Sequence, residues 1–92
     1  MNEANLEART AGGNELVEEY ALDLDVRGLN CPLPILRTKK ALSGMQTGQQ
    51  IRVRATDPGS VIDFPAFCRH SGNVLVRQIE TDGVFEFVLR RK

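Results

Sequence analysis

Two thiols and one imidazole, Cys31, Cys68 and His70, are the only cysteines and histidine of this 92-residue chain, which therefore offers few groups for thiol, imidazole or soft-ligand chemistry. Cys31 lies in Gly28-Leu29-Asn30-Cys31-Pro32-Leu33-Pro34, next to two prolines that cannot donate a backbone hydrogen bond. The two cysteines are too far apart in sequence to form the close pair of a zinc ribbon or a thioredoxin-like redox site. With one histidine, a four-ligand zinc site would need carboxylates or a second chain, so no metal site is expected. A hydrolase needs a base and an oxyanion site, and His70 falls at the far end of the helical segment that follows Asp57-Pro58-Gly59. A peroxide sensor needs a resolving thiol, whereas Cys68 shares a helical face with Phe64 and Phe67, where a cysteine is an inert core residue. The chemistry that asks least of the chain is relay of a sulfur atom, which needs only an accessible, acidic thiol and a docking surface.

The elements that must position Cys31 follow from periodicity. Leu22, Leu24 and Val26 alternate with Asp23, Asp25 and Arg27, the pattern of a half-buried strand ending at Gly28. Ile35, Thr38, Ala41, Leu42 and Met45 then recur at helical spacing, with Gly44 or Gly48 as the stop. Ile51, Val53 and Ala55 alternate with Arg52, Arg54 and Thr56 up to the turn Asp57-Pro58-Gly59. A second helix follows, with Pro65 expected early in it, Asp63 as its cap, and Gly72 as its end. Residues 74–80, Thr81-Asp82-Gly83 and the Phe85-Phe87-Leu89 alternation read as a hairpin. The order is β-α-β-α-β-β, and right-handed crossovers put both helices on one face of a four-stranded mixed sheet, a two-layer α/β sandwich.

Cys31 therefore sits on a strand-to-helix loop at the carboxyl end of a strand, where α/β sheets place their chemistry. Pro34 disfavours helical geometry at Leu33, so the helix is expected to start at Pro34 and leave the amides of Ile35, Leu36 and Arg37 unpaired. Those donors and the helix dipole favour an anion. The expectation is an acidified sulfur, shifted from about 8.5 to about 7 or lower, with Arg27 and Arg37 adding a little. Pro32 and Pro34 hold the thiol outside the helix.

The loop Gly28 to Pro34 resembles the Cys-Pro-x-Pro signature of the TusA/SirA family of sulfur-carrier proteins. Thr56-Asp57-Pro58, Asp63-Phe64-Pro65-Ala66-Phe67-Cys68 and Thr81-Asp82-Gly83 look like that family too, and the resemblance runs from about Leu22 to Arg91. It implies that Cys31 bears a persulfide, taken from a cysteine desulfurase or another sulfur donor and passed to an acceptor protein, in tRNA thiolation or another sulfur-requiring pathway. It implies no bound cofactor, pyridoxal phosphate belonging to the donor alone. Two features depart from the family pattern. Leu33 stands where the tRNA-thiolating members often have Glu, and the acidic N-terminal segment is extra.

Leu33 projects away from the Ile35–Leu42–Met45 stripe, so an exposed leucine beside the sulfur is expected, bordered by Arg37 and Lys40 and suited to docking. Arg27 and Asp57, the latter after the second strand, are further candidate contacts. Residues 1–19 carry five glutamates against Arg9, a net charge of −4 that leaves +4 on residues 20–92. The first segment reads as a mobile acidic tail and the second as one small domain. No apolar run spans a membrane, and the N-terminus has neither signal nor transit character, so a cytoplasmic protein with reduced thiols is expected. A monomer is expected, and direct tRNA contact stays open. The rival classes are a non-catalytic RNA- or protein-binding module that uses the basic surface, and a thiol redox switch.

Overall fold

The computed structural model describes residues 20–92, so the acidic segment 1–19 lies outside the described residues. The order is β1 (Leu22–Asp25), α1 (Leu33–Ser43), β2 (Gln50–Ala55), α2 (Ser60–Ser71), β3 (Val74–Thr81) and β4 (Val84–Arg90). The four strands form one mixed sheet in the order β1-β2-β4-β3. β1 runs parallel to β2 with Leu24 opposite Val53, and β4 runs antiparallel to both β2 and β3. Both helices cover one face, as the crossover rule requires.

The core lies between that face and the helices. Ile51, Val53 and Ala55 of β2 and Phe87 and Leu89 of β4 are fully buried against Leu42, Met45, Phe64 and Cys68. On α1 the buried positions Pro34, Thr38 and Leu42 recur every four residues. Thr38 is tolerated there because its hydroxyl donates to Pro34 O at 2.9 Å. The hairpin turn has positive φ at both Asp82 (51°) and Gly83 (82°), the mirror-type turn that matches the twist of its strands.

The opposite face of the sheet carries paired charges. Asp23 accepts hydrogen bonds from Arg52 and Arg54, and Arg77 pairs with Glu86 at 3.3 Å. The Arg52 guanidinium also lies over the Tyr20 ring, 5.1 Å from its centroid. Both arginines hold the Asp23 carboxyl below its ordinary value, the Arg52 hydrogen bond acting most strongly.

Two helix starts differ from expectation. α1 begins at Leu33, because Leu33 N–H donates to Asn30 O at 2.8 Å and the turn over Asn30 to Leu33 runs straight into the helix. α2 begins at Ser60, five residues before Pro65. The Asp57-Pro58-Gly59 turn starts it, with Ser60 N–H donating to Asp57 O at 3.0 Å and Asp63 N–H to Gly59 O at 2.9 Å. Pro65 is thus an internal residue and Asp63 a first-turn residue, not a cap. Buried Phe64 and Cys68 hold the helix across the proline.

Candidate functional site

Parallel pairing of β1 and β2 puts their carboxyl-end loops side by side. Val26 N–H donates to Arg54 O at 2.9 Å, and Gly28 N–H to Thr56 Oγ1 at 2.9 Å. The second bond ties the cysteine loop to the Thr56-Asp57 segment. Cys31 is exposed at the head of α1, and its peptide bond to Pro32 is cis.

Cys31 opens onto a groove of about 360 Å³ between the two helices. Pro32, Ile35, Ala66 and Phe67 form its apolar part, and Lys39, Asp63 and His70 its polar part. Asp63, Ala66, Phe67 and His70 follow one another at helical spacing along α2, so one face of that helix makes a whole wall. His70 is exposed in the last turn of α2, as expected, and lines the same groove as Cys31.

The expected acidification of Cys31 is overturned. The Asp63 carboxylate, chiefly by hydrogen-bonding character towards the protonated thiol, then desolvation and the charges of Asp63 and Asp57, push its thiol above the ordinary value. The donors counted on for a thiolate are also partly used. Leu36 N–H, expected to face an anion, donates to Pro32 O at 3.1 Å. Arg27, expected to help, is held by Asp25 through two side-chain bonds of 2.9 Å.

Leu33 is 44% exposed beside Cys31, as expected, and Leu36 is 50% exposed one turn from it. Arg37 and Lys40 are exposed on the same helix, and no ion pair among the described residues occupies either. Asp57 is close enough to act on the sulfur, with its Oδ2 buried and without a hydrogen-bond partner. Ile62 of α2, adjacent to Asp63, is 72% exposed, and Val61 is partly so. Cys68 is buried, which pushes its thiol up to about 11.

Sequence reasoning missed Asp63 and Lys39, which line the groove with the sulfur. The available signal was topological, since an element following a parallel strand adjacent to β1 starts beside the β1 loop. Among the described residues no cluster of His, Cys, Asp and Glu can hold a metal, and no helix is long and apolar enough to cross a membrane.

Comparison with known proteins gives a consistent result. The family model described as "Sulfurtransferase TusA" matches residues 22–91. The Allochromatium vinosum protein described as "Sulfur carrier protein TusA" is 51% identical over 73 residues, covering 79% of this chain and 96% of its own. A putative sulfur carrier protein of Neisseria meningitidis is 58% identical over 69 residues, covering 75% and 93%. The crystal structure of a SirA-like protein from Desulfitobacterium hafniense superposes with a TM-score of 0.68 at 27% identity, over 75% of this chain and 95% of that one.

Proposed function

The chain belongs to the sulfurtransferase TusA family, and from that premise we propose that it is a sulfur carrier in which Cys31 takes a sulfane sulfur from a donor protein and hands it to an acceptor. Its action is sulfur transfer between partners, with the sulfur held as a persulfide and no resident cofactor. Of its two thiols, Cys31 is exposed at the head of α1 and Cys68 is buried, and this contrast carries the assignment. The site of action is the cytoplasm, the donor a cysteine desulfurase or an equivalent persulfide source, and the product a thiolated tRNA or another sulfur-requiring compound. Pro32 and Pro34 hold the sulfur ahead of the helix. Leu33, with Arg37, Lys40, Arg27 and Asp57 around it, forms the docking surface.

The test is loading by a cysteine desulfurase with pyridoxal phosphate and cysteine, without reductant, followed by peptide mass mapping. One added sulfur on the Cys31 peptide is the expected result. Salt-sensitive RNA binding with no sulfur gained from several donors is the outcome that defeats the reading.

The docking role has its own test. Leu33→Glu replaces an exposed apolar side chain two residues from Cys31 with a charge, at little cost to folding. Loading by the protein donor should slow by about tenfold, the equivalent of losing about 1.4 kcal/mol of contact. Loading from a small-molecule persulfide, which needs no docking surface, should change far less. Equal protein-donor rates for variant and parent would remove Leu33 from the interface.

A further inference from the structure

Among the described residues no helix covers the outer face of the sheet, the one turned away from α1 and α2. Cross-strand partners share a face. The register therefore sets Asp23, Arg52, Val88 and Arg77 in one row across the outer face and Asp25, Arg54, Glu86 and Ile79 in the next, while Phe87 and Leu89 point the other way into the core. Asp23 takes one Nη2 bond from each of Arg52 and Arg54, but the Nε of both arginines is buried and has no hydrogen-bond partner. A buried donor without an acceptor is costly, and a carboxylate brought over these arginines would supply the acceptor. Ile79 of the same face is 43% exposed.

Tyr20 shows from which side the chain enters the sheet. Ala21 N–H donates to Gln50 O at 2.7 Å, so the ladder begins there. One residue earlier the chain is over the outer face, with the Arg52 guanidinium 5.1 Å from the centroid of the Tyr20 ring and the Tyr20 hydroxyl accepting from Arg77 Nη2 of β3 at 2.8 Å. Asn14-Glu15-Leu16-Val17-Glu18-Glu19 leads directly into that tyrosine. Six extended residues reach about 20 Å, and four strands about 4.8 Å apart measure about 14 Å from edge to edge, so the segment can cross the whole face.

We propose that the chain's own acidic segment is the occupant of the outer face, residues 14–19 crossing it from Tyr20 with their glutamates on Arg52 and Arg54 and Leu16 and Val17 on Val88 and Ile79. Charge complementarity supports this occupant, since residues 1–19 carry −4 and residues 20–92 carry +4. So does the mixed character of the face. Asp23, Asp25 and Glu86 oppose a uniform polyanion laid along it, whereas a segment that alternates carboxylates with apolar side chains matches both its arginines and its apolar patch. Attachment at Tyr20 also holds the segment at high effective concentration. The occupied face is then screened from nucleic acid, while the Cys31 groove, between the helices on the other side of the sheet, stays open.

The test is nuclear magnetic resonance of the isotopically labelled full chain at low salt. Methyl contacts from Leu16 or Val17 to Val88 or Ile79 are expected, with backbone order at residues 14–19 approaching that of the strands, and both should weaken at about 1 M salt, where exposed charges are screened. No such contacts, with residues 14–19 moving freely on the nanosecond scale, overturns the proposal. Contacts found only between a labelled and an unlabelled chain assign the face to a second copy and overturn it equally. The combined variant Glu15→Gln, Glu18→Gln and Glu19→Gln should lose the contacts and bind polyuridylate about tenfold more tightly than the parent, against a change within about threefold for Glu3→Gln with Glu7→Gln. Equal tightening by the two variants would mean that the glutamates act through overall charge alone, and would overturn their placement on Arg52 and Arg54.

Discussion

Serine at position 31 should abolish sulfur uptake while leaving the fold almost untouched, and serine at position 68 should do the reverse. Cys31 is exposed and outside the core, so Cys31→Ser falls among surface changes worth within about 0.5 kcal/mol. For a domain of this size that moves the melting temperature by roughly 2–4 °C at most. A hydroxyl cannot hold a sulfane sulfur, so loading should drop below detection. Cys68 is 6% exposed among the core residues, and a serine there buries a hydroxyl in apolar surroundings. The expected cost is about 1–3 kcal/mol, with sulfur uptake at the parent rate. Native labelling should show the same division. With its thiol pushed up to about 11, Cys68 ionises at neutral pH to only about one part in ten thousand, and burial blocks the reagent besides. Iodoacetamide should therefore modify Cys31 alone in the native protein and both cysteines in denaturant. Sulfur found on Cys68 after desulfurase loading would reverse the assignment.

The architecture was legible because each buried face repeats with the period of its element. The alternation of Ile51, Val53 and Ala55 is the inner face of β2, the Phe64–Cys68 pair is the inner face of α2, and the exposure of Leu33 follows from its place off the α1 stripe. The chemical state of the sulfur was not legible. A helix start predicts donors near Cys31, but whether Leu36 N–H serves the sulfur or Pro32 O depends on the local turn geometry, which no residue type specifies. Asp63 escaped notice for a related reason. Proline at position 65 argues for a helix beginning near it, yet the turn at Asp57-Pro58-Gly59 starts the helix earlier, and Asp63 lines the groove that Cys31 opens onto. Contacts between two loops are set by where two helices start, and each start was displaced from its expected place.

Phe64→Ala should be the most destabilising of these changes, costing about 3–5 kcal/mol. Phe64 is fully buried, and its ring stacks on Phe87 with centroids 4.2 Å apart and planes 7° from parallel. Phe87 in turn pairs in register with Val53 of β2, so this one contact joins α2 to the middle of the sheet. Alanine would leave a cavity beneath a helix that already lacks one backbone donor at Pro65, so the site has little means of collapsing onto the gap. At about 4–8 °C per kcal/mol, a melting temperature lower by about 12 °C or more is expected in thermal denaturation. Ile62→Ala, two residues away on the same helix but 72% exposed, should stay within about 0.5 kcal/mol of the parent. The effect should also reach the sulfur. Asp63 adjoins Phe64 and raises the Cys31 thiol, so loosening the seat of α2 weakens that influence, and iodoacetamide should label the variant faster than the parent well below its own melting temperature. A melting temperature within a few degrees of the parent would mean that α2 is held chiefly elsewhere. A large loss of stability with unchanged Cys31 reactivity would separate the seating of the helix from the placement of Asp63.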